Sequence, residues 1–321
     1  MLSVVMLAIG LVVLVFAGDY LVRGAVSLAE QLGISPLIIG LTIVAFGTSA
    51  PELFVSVQAA LDEAPGIALG NVIGSNTANI LLVLGAPAII APLALSTNGM
   101  RSSLAIMMVL SFALIWFMYT DLEITHFEGG ILFAGIVGYL TYQFFKAKRI
   151  SRSVKGHRAE EEQLEDFDDM PESTSDYKKI ALFLVIGIIG LPLGAYFTVE
   201  GAEEIARSLD ISEAIIGVTI VAIGTSLPEL VTSVMAAIRK SGGVALGNVV
   251  GSNIFNIGLI MGTTALIHPL DVDPHLLNFD IPVMMVASVL LIVLAVLARP
   301  LATWGGGLML VGYTAYIVSS F

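Results

Sequence analysis

Residues 40–85 occur twice in this chain, and this repeat limits the possible folds more than any other feature of the sequence. When the sequence is shifted by 177 positions, residues 40–85 align without a gap on residues 217–262, and 28 of 46 positions are identical. Both copies are mostly apolar, yet each contains a Gly-Thr-Ser-x-Pro-Glu run and a Gly-Asn-Val-x-Gly-Ser-Asn run. The repeat therefore predicts two halves of similar structure, each with polar groups inside an apolar segment.

The composition is that of a membrane protein. Hydrophobic residues make up 57% of the 321 residues and charged residues 12%, whereas soluble domains have about 25% charged residues. A helix needs about 20 apolar residues to cross a bilayer, and ten segments have this character. They are 2–22, 36–60, 67–94, 102–119, 128–145, 180–199, 213–238, 243–269, 280–298 and 302–320. We predict an all-α polytopic membrane protein with ten transmembrane helices.

A polar stretch at 146–179 separates five predicted spans from the other five. It holds eight of the fourteen lysines and arginines, so the positive-inside rule places it in the cytoplasm and both termini outside. Because each half has an odd number of spans, the second half enters the membrane upside down. We therefore predict two inverted five-helix repeats, residues 1–145 and 180–321, joined by this linker. Its acidic part, Glu160 to Asp169, is interpreted as solvated and flexible, with a cytoplasmic calcium sensor as the alternative.

Composition also excludes several classes of function. The chain has no cysteine, which excludes disulfides, thiolate catalysis and cysteine-ligated metals. Its net charge of −12, without a basic stripe, argues against nucleic acid as a partner. No obligate protein partner is evident, and we expect neither catalytic residues nor a resident cofactor.

The first polar run places a proline and a glutamate in the middle of a predicted span, as Pro51–Glu52 and again as Pro228–Glu229. Proline cannot donate a backbone hydrogen bond and clashes with the preceding turn, so we expect the helix to break there. The alternative is a capping box with Ser49 at the N-cap. A carboxylate at mid-bilayer costs about 2.5–3.5 kcal/mol, however, and a cap contributes only about 1 kcal/mol. We therefore predict that the two glutamates are functional.

The second polar run forms a stripe on a helix. Asn71, Ser75 and Asn79 stand at positions i, i+4 and i+8, so they share one face. In the second copy the same stripe consists of Asn248, Ser252 and Asn256. Such residues also serve as packing contacts between membrane helices, and this alternative stays open for the first asparagine of each stripe. We predict that the other four side chains face the carboxylates across the interface between the repeats.

These motifs supply oxygen donors only: two carboxylates, hydroxyls, amide oxygens and the carbonyls freed by proline. Oxygen donors suit hard cations such as Ca²⁺, which takes six to eight of them, and are a poor match for zinc or copper. Two carboxylates neutralise one divalent ion or two monovalent ions. The inventory therefore favours an exchanger of cations.

On these motifs the sequence resembles the Ca²⁺:cation antiporter superfamily and, within it, the prokaryotic sodium/calcium exchangers. The resemblance covers essentially the whole chain: the paired motifs, ten spans and the central loop. It implies exchange of Ca²⁺ for Na⁺ across the cell membrane by alternating access, with the two ions as substrates and the lipid bilayer as the surroundings. Proton-coupled or K⁺-dependent exchange, a calcium channel and an intramembrane carboxylate protease are the alternatives.

The resemblance also implies a set of ligands. Glu52 and Glu229 would be carboxylates shared between ions, and Thr48 and Thr225 would contact Ca²⁺. The sodium sites would be lined by Ser49, Ser226, Ser75 and Ser252 and by the carbonyls of Ala45 and Ala222, with Asn79 as a central polar ligand. Asn256 is also a candidate ligand, but some relatives have aspartate there. Its neutrality leaves two central acids and argues against a need for K⁺.

Overall fold

The computed structural model describes residues 2–95, 99–156, 173–209, 211, 222–297 and 300–319. The first half begins with a long helix and continues with helices that are interrupted by short π-helical turns. In order they are α1 (Leu2–Leu32), α2 (Pro36–Ile39), the π-turn Gly40–Val44, α3 (Ala45–Thr48), α4 (Ala50–Leu61), α5 (Pro65–Ala78), the π-turn Asn79–Val83, α6 (Gly85–Ile90), α7 (Met100–Asp121) and α8 (His126–Gly156).

The second half repeats this order where it is described and has one additional π-turn, at Leu276–Asp280. Its elements are α9 (Tyr177–Ser208), α10 (Ala222–Thr225), α11 (Leu227–Ile238), α12 (Gly242–Phe255), the π-turn Asn256–Met261, α13 (Gly262–Ile267), the π-turn Leu276–Asp280, α14 (Ile281–Val296) and α15 (Thr303–Ser319). The π-turns at 79–83 and 256–261 start at equivalent positions, since Asn256 lies 177 residues after Asn79.

Most of the predicted spans are long apolar helices in the described part of the chain. Six helical stretches are long and apolar enough to cross a membrane by themselves, and the bent pair formed by 36–48 and 50–61 makes a seventh. The other three predicted spans correspond to α8, to α11 and to α15. The predicted span 213–238 begins in residues that lie outside the described ranges. The fold class is confirmed: the protein is an all-α polytopic membrane protein with ten spans in two inverted repeats.

Two short backbone pairings show how the repeats are related. The strands β1 (Glu123–Ile124) and β2 (Leu270–Asp271) pair antiparallel, with Ile124 opposite Leu270. Leu93 forms an isolated antiparallel bridge with Leu301. Leu93 precedes Leu270 by 177 residues, and Ile124 precedes Leu301 by the same number. The two pairings are therefore copies in which the repeats exchange roles, as an approximate two-fold axis requires.

Glycines let the first helix of each repeat, α1 and α9, lie directly against each other. A Cβ atom built on Gly10 would lie 2.5 Å from the backbone nitrogen of Thr198, and one on Gly194 would lie 2.8 Å from that of Leu14. A Cβ atom on Gly201 would lie 2.6 Å from the nitrogen of Leu7. Small residues allow such close backbone contact between membrane helices. The α1–α9 pair therefore depends on glycine at these positions.

An ionic contact joins α1 to the second repeat. Asp19 accepts from Arg239 at the end of α11, and its other oxygen lies 3.1 Å from Arg23. These side chains are only partly exposed. The contact has no ionic equivalent at the repeat-related positions, which are Tyr196 and Asp62.

The predicted linker at 146–179 is partly helical. Helix α8 continues to Gly156, and α9 begins at Tyr177, where the Asp176 side chain accepts from the Lys178 nitrogen at 2.9 Å. Residues 157–172, which include the acidic run from Glu160 to Asp169, lie outside the described ranges.

Candidate functional site

Both predicted helix breaks are present. In the first repeat, α3 and α4 are separated at Ser49 and bent by 45°. In the second repeat the break lies between α10 and α11, at Ser226. Neither serine makes a side-chain capping bond, so the capping-box alternative is wrong. The serine hydroxyls therefore remain available to groups other than their own helix.

Glu52 and Glu229 follow the two breaks and are buried, each 1% exposed. The Ser49 hydroxyl donates to Glu229 Oε1 at 3.1 Å, across the repeat interface. The Ser252 hydroxyl lies 3.4 Å from the same oxygen. Ser252 was expected to face the acid of the other repeat, and this part of the prediction is wrong: it reaches the glutamate of its own repeat.

The two threonines of the motifs occupy different surroundings. Thr48 is completely buried and donates to Asn248 Oδ1 at 3.0 Å, with Ser252 Oγ at 3.5 Å. Its repeat equivalent Thr225 is partly exposed. The same difference separates buried Asn248 from partly exposed Asn71. Thr48 is therefore fully enclosed, whereas Thr225 retains some exposed surface.

Asn71 and Asn248 form hydrogen bonds that connect the helix after each break to the next helix. Asn71 Nδ2 donates to the backbone oxygen of Glu52 at 3.2 Å and to Ser56 Oγ at 2.8 Å. Asn248 Nδ2 makes the equivalent bonds, to the Glu229 oxygen and to Ser233 Oγ, both at 3.2 Å. These bonds support the packing interpretation for both asparagines.

The asparagines at the end of the stripes pair across the interface. Asn79 Nδ2 donates to Asn253 Oδ1 at 3.0 Å, and Asn256 Nδ2 donates to Asn76 Oδ1 at 3.0 Å. All four residues are at most 2% exposed. The two bonds are copies of each other under the repeat.

The remaining candidate ligands are the carbonyls of Ala45 and Ala222 and the side chain of Ser75. The Ala45 carbonyl accepts from the Ser49 nitrogen at 3.0 Å and from Thr48 Oγ1 at 3.3 Å. The equivalent serine nitrogen, that of Ser226, donates to Ile223 instead of Ala222. Ser75 is buried, 4% exposed.

Several buried oxygens at the interface have no hydrogen-bond partner in the described part of the chain. They are Glu52 Oε2, Glu229 Oε2, Asn79 Oδ1, Asn256 Oδ1 and Ser226 Oγ. Buried acceptors without partners are unfavourable, and bound cations would provide partners for oxygens of this kind. No group of three or more His, Cys, Asp or Glu side chains that could hold a metal occurs among the described residues. The donor set therefore fits a hard cation held by two carboxylates and neutral oxygens.

Two residues of the site were missed by sequence reasoning. Asn76 and Asn253 lie one position away from the serines of the stripes, off the face that the i, i+4, i+8 spacing selects. The available signal was their presence in both copies of the Gly-Ser-Asn run.

Inverted repeats with broken helices and a buried polar site at their interface define the chain as a membrane protein of the secondary transporter class. The sequence profile of the family described as sodium/calcium exchanger protein matches residues 2–145 and 179–321. The chain belongs to this sodium/calcium exchanger family.

Individual relatives agree over nearly the full length. The chain is 34% identical to the sodium/calcium exchanger MaX1 of Methanosarcina acetivorans, over 98% of this chain and 97% of that protein. It is 33% identical to the inner membrane protein YrbG of Escherichia coli, over 97% and 94% of the two chains. It superimposes on the sodium-calcium exchanger NCX_Mj, in crystals soaked with zero Na⁺ and Ca²⁺, with a TM-score of 0.83 and 32% identity. That match covers 100% of this chain and 99% of the other.

Proposed function

We propose that the protein is a secondary active antiporter that exchanges Ca²⁺ for Na⁺ across the membrane. The observation that carries the proposal is the buried pair Glu52 and Glu229, each with an oxygen that has no protein partner in the described chain. Two carboxylates neutralise one Ca²⁺ or two Na⁺. The family membership and the similarity to proteins named sodium/calcium exchangers support this choice of ions.

The proposed ligands are those of the paired motifs. The glutamates would be shared between the ions, and Thr48 and Thr225 would add oxygens to Ca²⁺. Around them, neutral oxygens would complete the sodium sites: those of Ser49, Ser226, Ser75, Ser252, Asn79 and Asn256 and the carbonyls of Ala45 and Ala222. Sodium must replace its lost hydration with several oxygens, so this neutral set favours Na⁺ over H⁺ as the coupled ion.

Alternating access would expose this site to one side at a time. The difference between buried Thr48 and partly exposed Thr225 supports access from a single side in the present conformation. The α1–α9 pair, joined through glycines, is the candidate moving element. The transported ions are substrates, and we propose no resident cofactor, no catalytic residue and no obligate protein partner.

Calcium uptake into proteoliposomes tests the function. Vesicles loaded with Na⁺ are diluted into medium without Na⁺ and K⁺ at equal pH, and uptake of Ca²⁺ is expected. Uptake that ignores the Na⁺ gradient and follows an imposed pH difference would make the protein a proton-coupled exchanger. A conductance far above the turnover of a carrier would make it a channel.

We further propose that the protein resides in the cell membrane with both termini outside and the 146–179 linker in the cytoplasm, between repeats 1–145 and 180–321. The basic residues Lys146, Lys148, Lys178 and Lys179 lie at the two ends of the linker, as the positive-inside rule requires of a cytoplasmic segment, and the family match leaves out 146–178. Because the chain has no cysteine, single cysteines report orientation. In intact cells an impermeant maleimide should label Ser319→Cys but not Ser175→Cys, and the reverse pattern would refute the orientation.

A further inference from the structure

We infer that Asn76 and Asn253 are positioning residues that turn the amide oxygens of Asn79 and Asn256 toward the transported cation. Each acts through one hydrogen bond across the repeat interface and is itself held by a methionine of a neighbouring helix. The inference rests on the proposed function, since it assigns how two of the proposed ligands are oriented.

The orientation of an asparagine decides whether it can bind a cation. Its side chain has a carbonyl oxygen at one position and an NH₂ group at the other. With the oxygen toward a cation the residue is a ligand, and with the NH₂ group toward it the residue repels the ion. A buried asparagine ligand therefore needs an acceptor that holds its NH₂ group away from the site.

Asn253 supplies this acceptor for Asn79. Its Oδ1 atom accepts from Asn79 Nδ2 at 3.0 Å. Its own Nδ2 atom points to the sulfur of Met107 on α7, at 3.8 Å. A thioether accepts hydrogen bonds but cannot donate them, so Met107 favours the NH₂ group of Asn253 on its side and leaves the oxygen for Asn79.

The other half of the molecule contains the same chain of contacts. Asn76 Oδ1 accepts from Asn256 Nδ2 at 3.0 Å, and Asn76 Nδ2 points to the sulfur of Met284 on α14, at 3.9 Å. Met284 lies 177 residues after Met107. The arrangement therefore occurs twice, at equivalent positions of both repeats.

Both sets of contacts leave one amide oxygen without a hydrogen-bond partner in the described chain. Asn79 Oδ1 and Asn256 Oδ1 are buried and have no hydrogen-bond partner among the described residues. In a role limited to joining the two repeats, either amide orientation would serve. The π-turn that starts at Asn79 packs against α11, which carries Glu229, and the π-turn that starts at Asn256 packs against α4, which carries Glu52. Unpartnered acceptors at these positions indicate that the orientation serves ion binding.

The test separates positioning from simple structural support by a double-mutant cycle. Asn253→Leu removes the acceptor and keeps the branching of the side chain at Cγ, and Ca²⁺ affinity is measured by titration calorimetry on purified protein. We expect about tenfold weaker Ca²⁺ binding, the effect of losing one hydrogen bond. Met107→Leu removes only the sulfur and should weaken binding less, in the same direction.

The second half of the cycle measures Asn253→Leu in a protein that also carries Asn79→Asp. Both oxygens of an aspartate are acceptors, so it needs no partner to present an oxygen to the cation. In this background Asn253→Leu should cause no further loss of Ca²⁺ affinity. An equal loss in both backgrounds would show a structural role and overturn the inference, as would an unchanged affinity of Asn253→Leu alone.

The second repeat provides an independent cycle if Asn253→Leu does not fold. There Asn76→Leu is measured alone and together with Asn256→Asp, with the same expectations. The proposed function is tested separately by exchange in vesicles. A wild-type protein that binds Ca²⁺ but does not exchange it for Na⁺ refutes the function while the cycle still decides the positioning. A wild-type protein that binds no cation refutes both.

Discussion

The Ser49 hydroxyl donates to a carboxylate oxygen of Glu229, 180 positions away in the chain and 3.1 Å away in space. Ser49 lies at the helix break of the first repeat, three residues before Glu52. The break in one repeat therefore positions the acid of the other. The reverse contact is not formed, because Ser226 Oγ has no hydrogen-bond partner among the described residues. The repeats are related by sequence, but their serines are not in equivalent states.

Replacing either glutamate should abolish Ca²⁺ transport. Glu52→Gln and Glu229→Gln each remove half of the negative charge of the site while keeping its shape, so a folded but inactive protein is expected. Transport is measured as Na⁺-driven uptake in vesicles, and folding by size-exclusion chromatography. Glu203→Gln is the matched control, because Glu203 forms a 2.9 Å pair with Arg207 at the surface. Uptake like that of the wild type in either site variant would refute the assignment.

Because Ser49 and Ser226 make different contacts, replacing each of them should affect ion binding differently. Ser49→Ala removes a hydrogen bond to a carboxylate, which is worth about 1.5–3 kcal/mol, and should weaken Ca²⁺ binding roughly 10- to 100-fold. Ser226→Ala removes a hydroxyl that holds no protein group in the described chain, so it should raise the Na⁺ concentration for half-maximal exchange and change Ca²⁺ binding less. Calcium and sodium titrations of both proteins check this. Equal effects of the two variants on Ca²⁺ would contradict the observed asymmetry.

Asn248 should matter for stability more than for selectivity. Asn248→Ala removes bonds to the Glu229 backbone oxygen and to Ser233 and takes away the acceptor of Thr48. A buried polar group without its partner costs about 1–3 kcal/mol, so a lower melting temperature in detergent is expected. Asn71→Ala should lower the melting temperature less, because Asn71 is partly exposed. A changed ratio of Ca²⁺ to Sr²⁺ transport with unchanged stability would point to a direct role in ion binding.

The glycine contact between α1 and α9 should not accept a methyl group. Gly10→Ala places a carbon 2.5 Å from the backbone nitrogen of Thr198 and 2.8 Å from the Gly194 oxygen, so the two helices must separate. We expect loss of transport and a lower melting temperature. Gly312→Ala is the control, because no described atom lies within 4 Å of the added carbon. Normal transport by Gly10→Ala would show that the close contact is not required.

The helix breaks and the buried acids could be predicted from the sequence because they follow from local chemistry. Pro51 removes a backbone donor wherever its helix lies, and a glutamate repeated in two apolar spans needs a reason beyond capping. The fold class was predictable for a similar reason, since an odd number of spans per repeat forces the inversion. Each of these conclusions follows from local chemistry or from comparing the two copies of the repeat, and none requires a tertiary contact.

The partners across the interface could not be predicted in this way. Helical spacing selects a face but does not say which neighbour the face meets, and so Ser252 was assigned to the wrong glutamate and Asn253 was not assigned at all. The sulfur of Met107, on another helix, had no sequence signal because methionine is common in apolar spans. These contacts depend on the tertiary arrangement of the two repeats.

The reciprocal backbone pairs of Ile124 with Leu270 and Leu93 with Leu301 have a consequence for the origin of the chain. Leu93 and Leu270 are equivalent positions of the two repeats, and so are Ile124 and Leu301, so each pair joins the earlier segment of one repeat to the later segment of the other. Two separate copies of a single half, inserted in opposite orientations, would therefore form the same two pairs. A half-length ancestor could therefore assemble as an antiparallel dimer with all of these contacts in place. Gene duplication and fusion would then add a connection between the halves and leave each copy free to change by itself, as the unequal environments of Ser49 and Ser226 now show.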